Sequence, residues 1–127
     1  MASPTSAGKR GFTLIELLVV LAILALLLTI AVPRFFRGID QSKETVLREN
    51  LHITRDIIDK FYGDNGRYPA SLDELVQRRY LRALPHDPIT ESPSTWLLVE
   101  PEQGGGVFDL HSGAPGTTRS GVPLGNL

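Results

Sequence analysis

The sequence has a short polar start and then a long, almost purely apolar run from Phe12 to Val32. The polar residues within the run are Thr13, Glu16 and Thr29. A helix of this length rises roughly 30 Å, which is enough to cross the hydrocarbon core of a bilayer. Lys9 and Arg10 precede the run, and basic flanks favour the cytoplasmic side. The pattern therefore predicts one membrane-spanning helix with its N-terminus in the cytoplasm and the following chain on the far side.

Beyond this run, the spacing of apolar residues changes to that of an amphipathic helix over residues 34–62. Apolar residues there mostly recur every three or four positions: Ile39, Val46, Leu47, Leu51, Ile57, Ile58, Phe61 and Tyr62. We expect a kink or local melting at Pro33, because proline lacks a backbone donor and clashes with the preceding turn. The turn residues from Gly63 to Gly66 are expected to end the helix.

The second half of the chain predicts a small head. Ser71 and Glu74 form a capping-box pattern in front of a short helix over residues 72–79. Residues 95–100 and 107–112 are rich in strand formers and predict an antiparallel hairpin. The fold class is therefore α+β, with a long N-terminal helix packed on a small antiparallel β-sheet.

Composition changes this picture mainly by exclusion. The 127 residues carry a formal net charge of −1, which argues against a nucleic-acid-binding surface, and the absence of cysteine excludes disulfides and zinc–thiolate sites.

The histidines, none of which has metal-ligand spacing, are His52, His86 and His111. The residues of a conceivable hydrolase triad are Asp109, His111 and either Ser94 or Ser112. No nucleophile-elbow sequence surrounds either serine, and the glycines at 104–106 lack the lysine of a phosphate loop. We therefore predict that the protein is not an enzyme.

Glu16 carries most of the functional information, because a carboxylate inside a bilayer costs roughly 2.5–3.5 kcal/mol. The apolar run contains no Lys, Arg or His that could pair with it. Cleavage between Gly11 and Phe12 would create an α-amino group that is positively charged near neutral pH. Phe12 and Glu16 are four residues apart, so a helix would place them on one face. If Glu16 of one copy met the Phe12 amine of a displaced neighbour, the repeated contact would build an open helical filament.

Three simpler interpretations of the run stay open. A secretory signal cleaved near Ala31 would leave a charge at Glu16 inside the apolar core of that signal. A plain membrane anchor explains the length of the run and its basic flank, but it does not explain Glu16. Glu16 could also lie at the level of the lipid headgroups and stay hydrated.

The residues Gly11-Phe12-Thr13-Leu14-Ile15-Glu16 resemble the class III signal of type IV pilins and type II secretion pseudopilins. The resemblance implies that a prepilin peptidase cleaves after Gly11, discards a leader over residues 1–11 and methylates the amine of Phe12. It also implies that Phe12 and Glu16 direct assembly, and that Pro33 bends or loosens the helix. Three segments of the head are similar to the G-type major pseudopilin of type II secretion: residues 64–69, 80–88 and 107–113.

The resemblance implies four regions in a type IV pilin-like fold: a leader (1–11), a transmembrane and polymerisation helix (12–33), an amphipathic helix (34–62) and a globular head (63–127). The expected function is that of a structural subunit in a periplasmic pseudopilus that drives protein export. The expected partners are further copies of the chain in a helical homopolymer, minor pseudopilins, an inner-membrane assembly platform and the prepilin peptidase. The expected location is the bacterial inner membrane, with one pass, a cytoplasmic N-terminus and a periplasmic head.

The C-terminal tail departs from the family pattern, in which this loop often binds calcium through acidic side chains and carbonyl oxygens. Residues 110–127 contain no Asp or Glu, and Asp109 stands alone at the edge of the loop. We therefore expect no calcium site and no other cofactor, with the tail over residues 113–127 held by a few contacts from backbone carbonyls and from Ser or Thr hydroxyls.

Two alternative functions stay open. One is a type IV pilin or minor pilin for adhesion, motility or DNA uptake, although the cysteine pair common in surface pilins is missing. The other is a membrane-tethered binding domain that never polymerises, which an uncut leader would favour.

Overall fold

The computed structural model describes residues 11–127. Helix α1 spans Leu14–Asn65, helix α2 spans Leu72–Gln77, strand β1 spans Leu97–Val99, strand β2 spans Asp109–His111, and a 3₁₀ helix spans Leu124–Asn126. The predicted basic flank, Lys9 and Arg10, lies outside the described residues. Contacts between Cα atoms divide the chain after Gly38 into two units, and each is described by itself.

The first unit is helical from Leu14 onward. The helix begins two residues after Phe12 and passes through Pro33 without interruption. The kink expected at Pro33 stays a prediction. Phe35 and Phe36, which follow this proline, are exposed and meet edge to face.

The second unit contains the C-terminal part of α1, which ends three residues later than the sequence predicts. The helix continues past Gly63 to Asn65. Gly66 adopts the left-handed conformation with φ of 69°, and its N–H donates to the carbonyl of Tyr62 at 2.8 Å. A left-handed glycine directly after the last helical residue is a common helix ending, and this explains why Gly66 rather than Gly63 ends α1.

Helix α2 begins as predicted and ends early. The hydroxyl of Ser71 accepts the N–H of Glu74 at 3.3 Å, which caps the first turn. The Glu74 carboxylate accepts the N–H of Ala70 at 2.7 Å, one residue further back than in a standard capping box. At the other end, Arg79 takes a left-handed φ of 64°, and Tyr80 N–H donates to Leu75 C=O at 2.8 Å in a Schellman-type ending.

Strands β1 and β2 form the predicted antiparallel hairpin, although both are shorter than expected. Leu97 pairs with His111, Leu98 with Leu110, and Val99 with Asp109. Pairing stops beyond His111 where the chain passes close to Thr95. A Cβ at Gly113 would lie 2.1 Å from the Thr95 carbonyl oxygen, so only glycine fits there.

The core of the head lies between one face of α1 and the hairpin, α2 and the tail, so the predicted α+β class is confirmed. Its fully or nearly buried apolar residues are Leu47, Leu51, Ile58, Phe61, Leu72, Leu75, Trp96, Val107, Leu110, Ala114 and Leu124. Thr54 completes the α1 stripe and is 1% exposed, with its hydroxyl donating to the Asn50 carbonyl at 2.7 Å. Val46 and Tyr62, which the sequence pattern placed on the apolar face, remain about half exposed.

Candidate functional site

The start of α1 is built by local residues. The Thr13 hydroxyl accepts the N–H of Glu16 at 3.1 Å, and the Thr13 carbonyl accepts the N–H of Leu17 at 3.1 Å. Thr13 is therefore the N-cap, and Glu16 lies in the first turn, where a negative charge is favourable. This cap is not among the elements predicted above, although the pattern Thr-x-x-Glu signals it. Phe12 precedes the helix and is 82% exposed.

The apolar segment that follows has no apolar neighbours to bury it among the described residues. Its large side chains are between 44% and 77% exposed from Leu14 to Val32. The helix is long and apolar enough to cross a membrane, and no residue in its most apolar stretch is buried. An exposed apolar surface of this size needs lipid or other protein around it.

In the head, Arg55 joins α1 to β2 and to the end of the chain. Its Nε donates to Asp109 Oδ1 at 2.7 Å, and one Nη donates to the carbonyls of Leu110 at 2.9 Å and Leu127 at 2.7 Å. His111 Nδ1 also lies 2.9 Å from the Leu127 carbonyl oxygen. These contacts give both Asp109 and His111 a structural use.

A second polar centre is Asp87, which is completely buried. Its carboxylate accepts the N–H of Ile89 at 2.8 Å and the hydroxyl of Ser112. The Ser112 hydroxyl in turn accepts the N–H of Ala114 at 3.1 Å. Because buried carboxylates require partners, this network fixes the turn after residue 86 against the end of β2.

Glu74 holds the segment between the two helices. One oxygen lies 2.5 Å from Arg67 Nη2, and the other accepts the N–H of Ala70. These bonds, led by that from Arg67, lower the pKa of Glu74 below its ordinary value. Arg67 also lies over the Phe61 ring, 5.2 Å from its centroid.

The hairpin leaves an apolar surface open. Leu97, Leu98 and Val99 are all exposed, and within residues 11–127 β1 pairs with β2 alone. Next to this strand, an open groove of about 400 Å³ is lined by Tyr68, Phe108 and the loop that starts at Glu100. Exposed apolar surface of this kind is typical of an interaction site.

The conceivable triad is not assembled in the described part of the chain. The Ser112 hydroxyl donates to Asp87, Ser94 pairs with Ser92, and His111 is turned to Leu127. No group of three or more His, Asp or Glu side chains suited to a metal ion occurs in residues 11–127.

The residues present do not fit the calcium site that is common in the C-terminal loop of the resembled family. Asp109 is paired with Arg55, and Asp87 is buried with both oxygens engaged. The tail itself contributes no carboxylate. Calcium takes six to eight oxygen ligands, usually including carboxylates. The prediction that the protein binds no cofactor stays a prediction.

Comparison with known protein families gives a match to the N-terminal part of the chain, which includes the start of α1. The family model described as the prokaryotic N-terminal methylation motif matches residues 6–32. This range contains Gly11, Phe12 and Glu16. The motif together with the α+β head defines a type IV pilin-like protein.

Comparison with individual proteins covers almost the whole chain. Type II secretion system core protein G of Pseudomonas aeruginosa is 32% identical over 138 residues, covering 93% of this chain and 94% of that protein. The same protein of Klebsiella pneumoniae is 30% identical over 134 residues, with 93% and 94% covered. The chain therefore belongs to the family of type II secretion system core protein G.

A shorter match points to the related pilins. Type IV major pilin protein PilA of Myxococcus xanthus is 36% identical over 67 residues, which covers 53% of this chain and 30% of that protein. No solved structure gave a significant match.

Proposed function

We propose that the protein is a structural subunit of a periplasmic pseudopilus that drives protein export through the type II secretion system. The observation that carries the proposal is the uncovered apolar helix from Leu14 to Val32, which lies within the matched methylation motif. This helix needs lipid before assembly and other copies of itself afterwards. Membership of the core protein G family supports the secretion role over that of a pilus.

Before assembly, the chain crosses the inner membrane once, with Lys9 and Arg10 in the cytoplasm and the head in the periplasm. Prepilin peptidase cuts between Gly11 and Phe12 and methylates the new amine. The assembly platform, together with minor pseudopilins, then draws the helix out of the membrane into a filament. The chain acts mechanically, with no catalytic residue of its own.

The register of the filament is set by the Glu16 carboxylate of one copy and the Phe12 amine of another. The uncut chain already presents Phe12 outside the helix and Glu16 in its first turn. Cleavage would leave the new amine directly before the Thr13 cap. Two opposite charges at membrane depth are stable only as a pair, so each displaced copy has one preferred position.

This role predicts that Glu16→Ala is cut normally but fails to assemble. Removing one member of a desolvated charge pair costs about 3–5 kcal/mol, so we expect the filament fraction to fall at least tenfold. The measurement is the amount of mature protein in sheared or pelleted filaments, alongside the exported protein in the culture medium. The matched control is Glu49→Ala, which removes an exposed glutamate from the part of α1 in the head.

Normal assembly of the Glu16→Ala protein would contradict this pairing. The alternative role as a pilin, to which the partial PilA match points, predicts filaments on the cell surface and unchanged protein export. Deleting the gene and assaying both the medium and the surface separates the two roles.

A further inference from the structure

The tail of the head is more ordered than its composition suggests. Thr117 and Pro123 form an isolated β-bridge, and Leu124 is 5% exposed at the start of the 3₁₀ helix. Between them, the tail closes on Thr118, which is 5% exposed. Thr118 N–H donates to Val122 C=O at 2.7 Å, and its hydroxyl accepts the N–H of Val122 at 3.1 Å. The loop therefore satisfies many of its own polar groups.

Arg119, at the tip of this loop, connects it to α1. Its guanidinium donates to Gln41 Oε1 at 2.7 Å, and its backbone N–H donates to Glu44 Oε2 at 3.3 Å. The other oxygen of Glu44 lies 3.2 Å from Arg48. Both oxygens of the Glu44 carboxylate are thus already engaged by the protein.

The space beside this contact is a shallow depression of about 260 Å³, lined by Asp40 and Glu44 on α1 and by residues 115–119 of the tail. Of the two carboxylates that line the depression, Asp40 is the one without a hydrogen bond to the described residues, so a calcium ion there would find one available carboxylate. It would also meet the positive charge of Arg119. Both conditions oppose a cation that needs several oxygen ligands.

We propose that Arg119 locks the C-terminal loop of this protein onto α1, so that the loop is held without calcium. The guanidinium supplies a positive charge beside α1 and donates to Gln41, while the backbone N–H of Arg119 donates to Glu44. The inference concerns the stability of the head and does not rest on the proposed export role. The proposed contact can therefore be tested independently of filament assembly.

The first test uses the unaltered full-length protein in detergent. Trp96, the single tryptophan, is 7% exposed and reports unfolding by its fluorescence. We expect the same thermal midpoint in EGTA, in about 1 mM calcium and in the same concentration of magnesium, since weak calcium modules bind near this concentration. A rise of about 5 °C or more with calcium alone would overturn the proposal.

The second test compares Arg119→Ala with Arg82→Ala by amide hydrogen exchange. Arg82 is an exposed arginine of the head with no hydrogen bond or ion pair to any residue in 11–127. We expect Arg119→Ala to speed exchange over residues 116–123 about fivefold, because the loop loses its guanidinium bond to Gln41 on α1. Calcium should not reverse this change. Arg82→Ala should leave these rates unchanged.

Equal rates in both variants would overturn the role of Arg119, as would slower exchange of the wild-type loop in calcium. If Arg119→Ala does not fold, Gln41→Ala removes the acceptor of the guanidinium instead, and unchanged exchange over residues 116–123 in that variant would overturn the role of Arg119.

Discussion

At the scale of single residues, Glu16 has two possible uses, and their energies differ. A negative charge in the first turn of a helix contributes about 0.3–1 kcal/mol. Burying a carboxylate in the bilayer costs roughly 2.5–3.5 kcal/mol. The local benefit at the Thr13 cap therefore does not offset the cost of insertion. A partner with a positive charge accounts for the residue better, and the Phe12 amine is the one that processing would create.

Glu74 provides a pH-dependent test of the head. Its pKa is lowered in the folded protein by Arg67 and by the N–H of Ala70, relative to an ordinary value of 4.5. A lowered folded pKa means that the ionised carboxylate stabilises the fold above its ordinary pKa, and that this contribution disappears as pH falls through the folded pKa. We therefore expect Glu74→Gln to lower the free energy of unfolding at neutral pH, with the difference from wild type shrinking below about pH 4.5.

The measurement is urea unfolding of both proteins across this pH range. Asp73→Asn is the control, since Asp73 is an exposed carboxylate in the same helical turn. A difference for Glu74→Gln that grows as pH falls would contradict the assigned role of its carboxylate.

At the scale of elements, the sequence predicts existence and type better than ends. Both helices and the hairpin were predicted, because periodicity and the Ser71 cap are local signals. The ends depend on backbone conformation. Both Gly63 and Gly66 could end α1 by sequence, and the left-handed φ of Gly66 is what distinguishes them. Arg79 also takes a left-handed φ, which the residue type does not predict.

The long-range contacts could not be predicted at all. Arg55 and Asp109 are 54 positions apart, and Arg119 and Gln41 are 78 positions apart. Composition alone predicted a loop with a few contacts for residues 113–127. The structure adds buried anchors at Ala114, Thr118 and Leu124. Such contacts arise only when the hairpin brings the tail back against α1.

The hairpin allows a matched test of packing, because Leu98 and Leu110 are the same residue type and directly opposite in the register. Leu110 is fully buried, whereas Leu98 is 48% exposed. We expect Leu110→Ala to lower the free energy of unfolding by about 2–5 kcal/mol, and Leu98→Ala by less than about 0.5 kcal/mol. Trp96 fluorescence during urea unfolding measures both, and equal losses would contradict the described core.

At the scale of the whole molecule, the two units have opposite requirements. The head buries its own apolar residues and ties its loops with Arg55, Asp87 and Glu74, without any disulfide. The N-terminal unit leaves its apolar side chains uncovered from Leu14 to Val32. A chain that combines a head with a buried core and a helix with exposed apolar side chains is suited to reside in a membrane and then to polymerise.

Our central proposal is that cleavage between Gly11 and Phe12 converts the membrane-inserted chain into a subunit that can assemble into a filament. The most direct test is the intact mass and N-terminal sequence of the protein purified from its native membrane. We expect a mature chain that begins with methylated Phe12. A chain that retains residues upstream of Phe12 would contradict this proposal, because the amine that we propose as the partner of Glu16 would then never form.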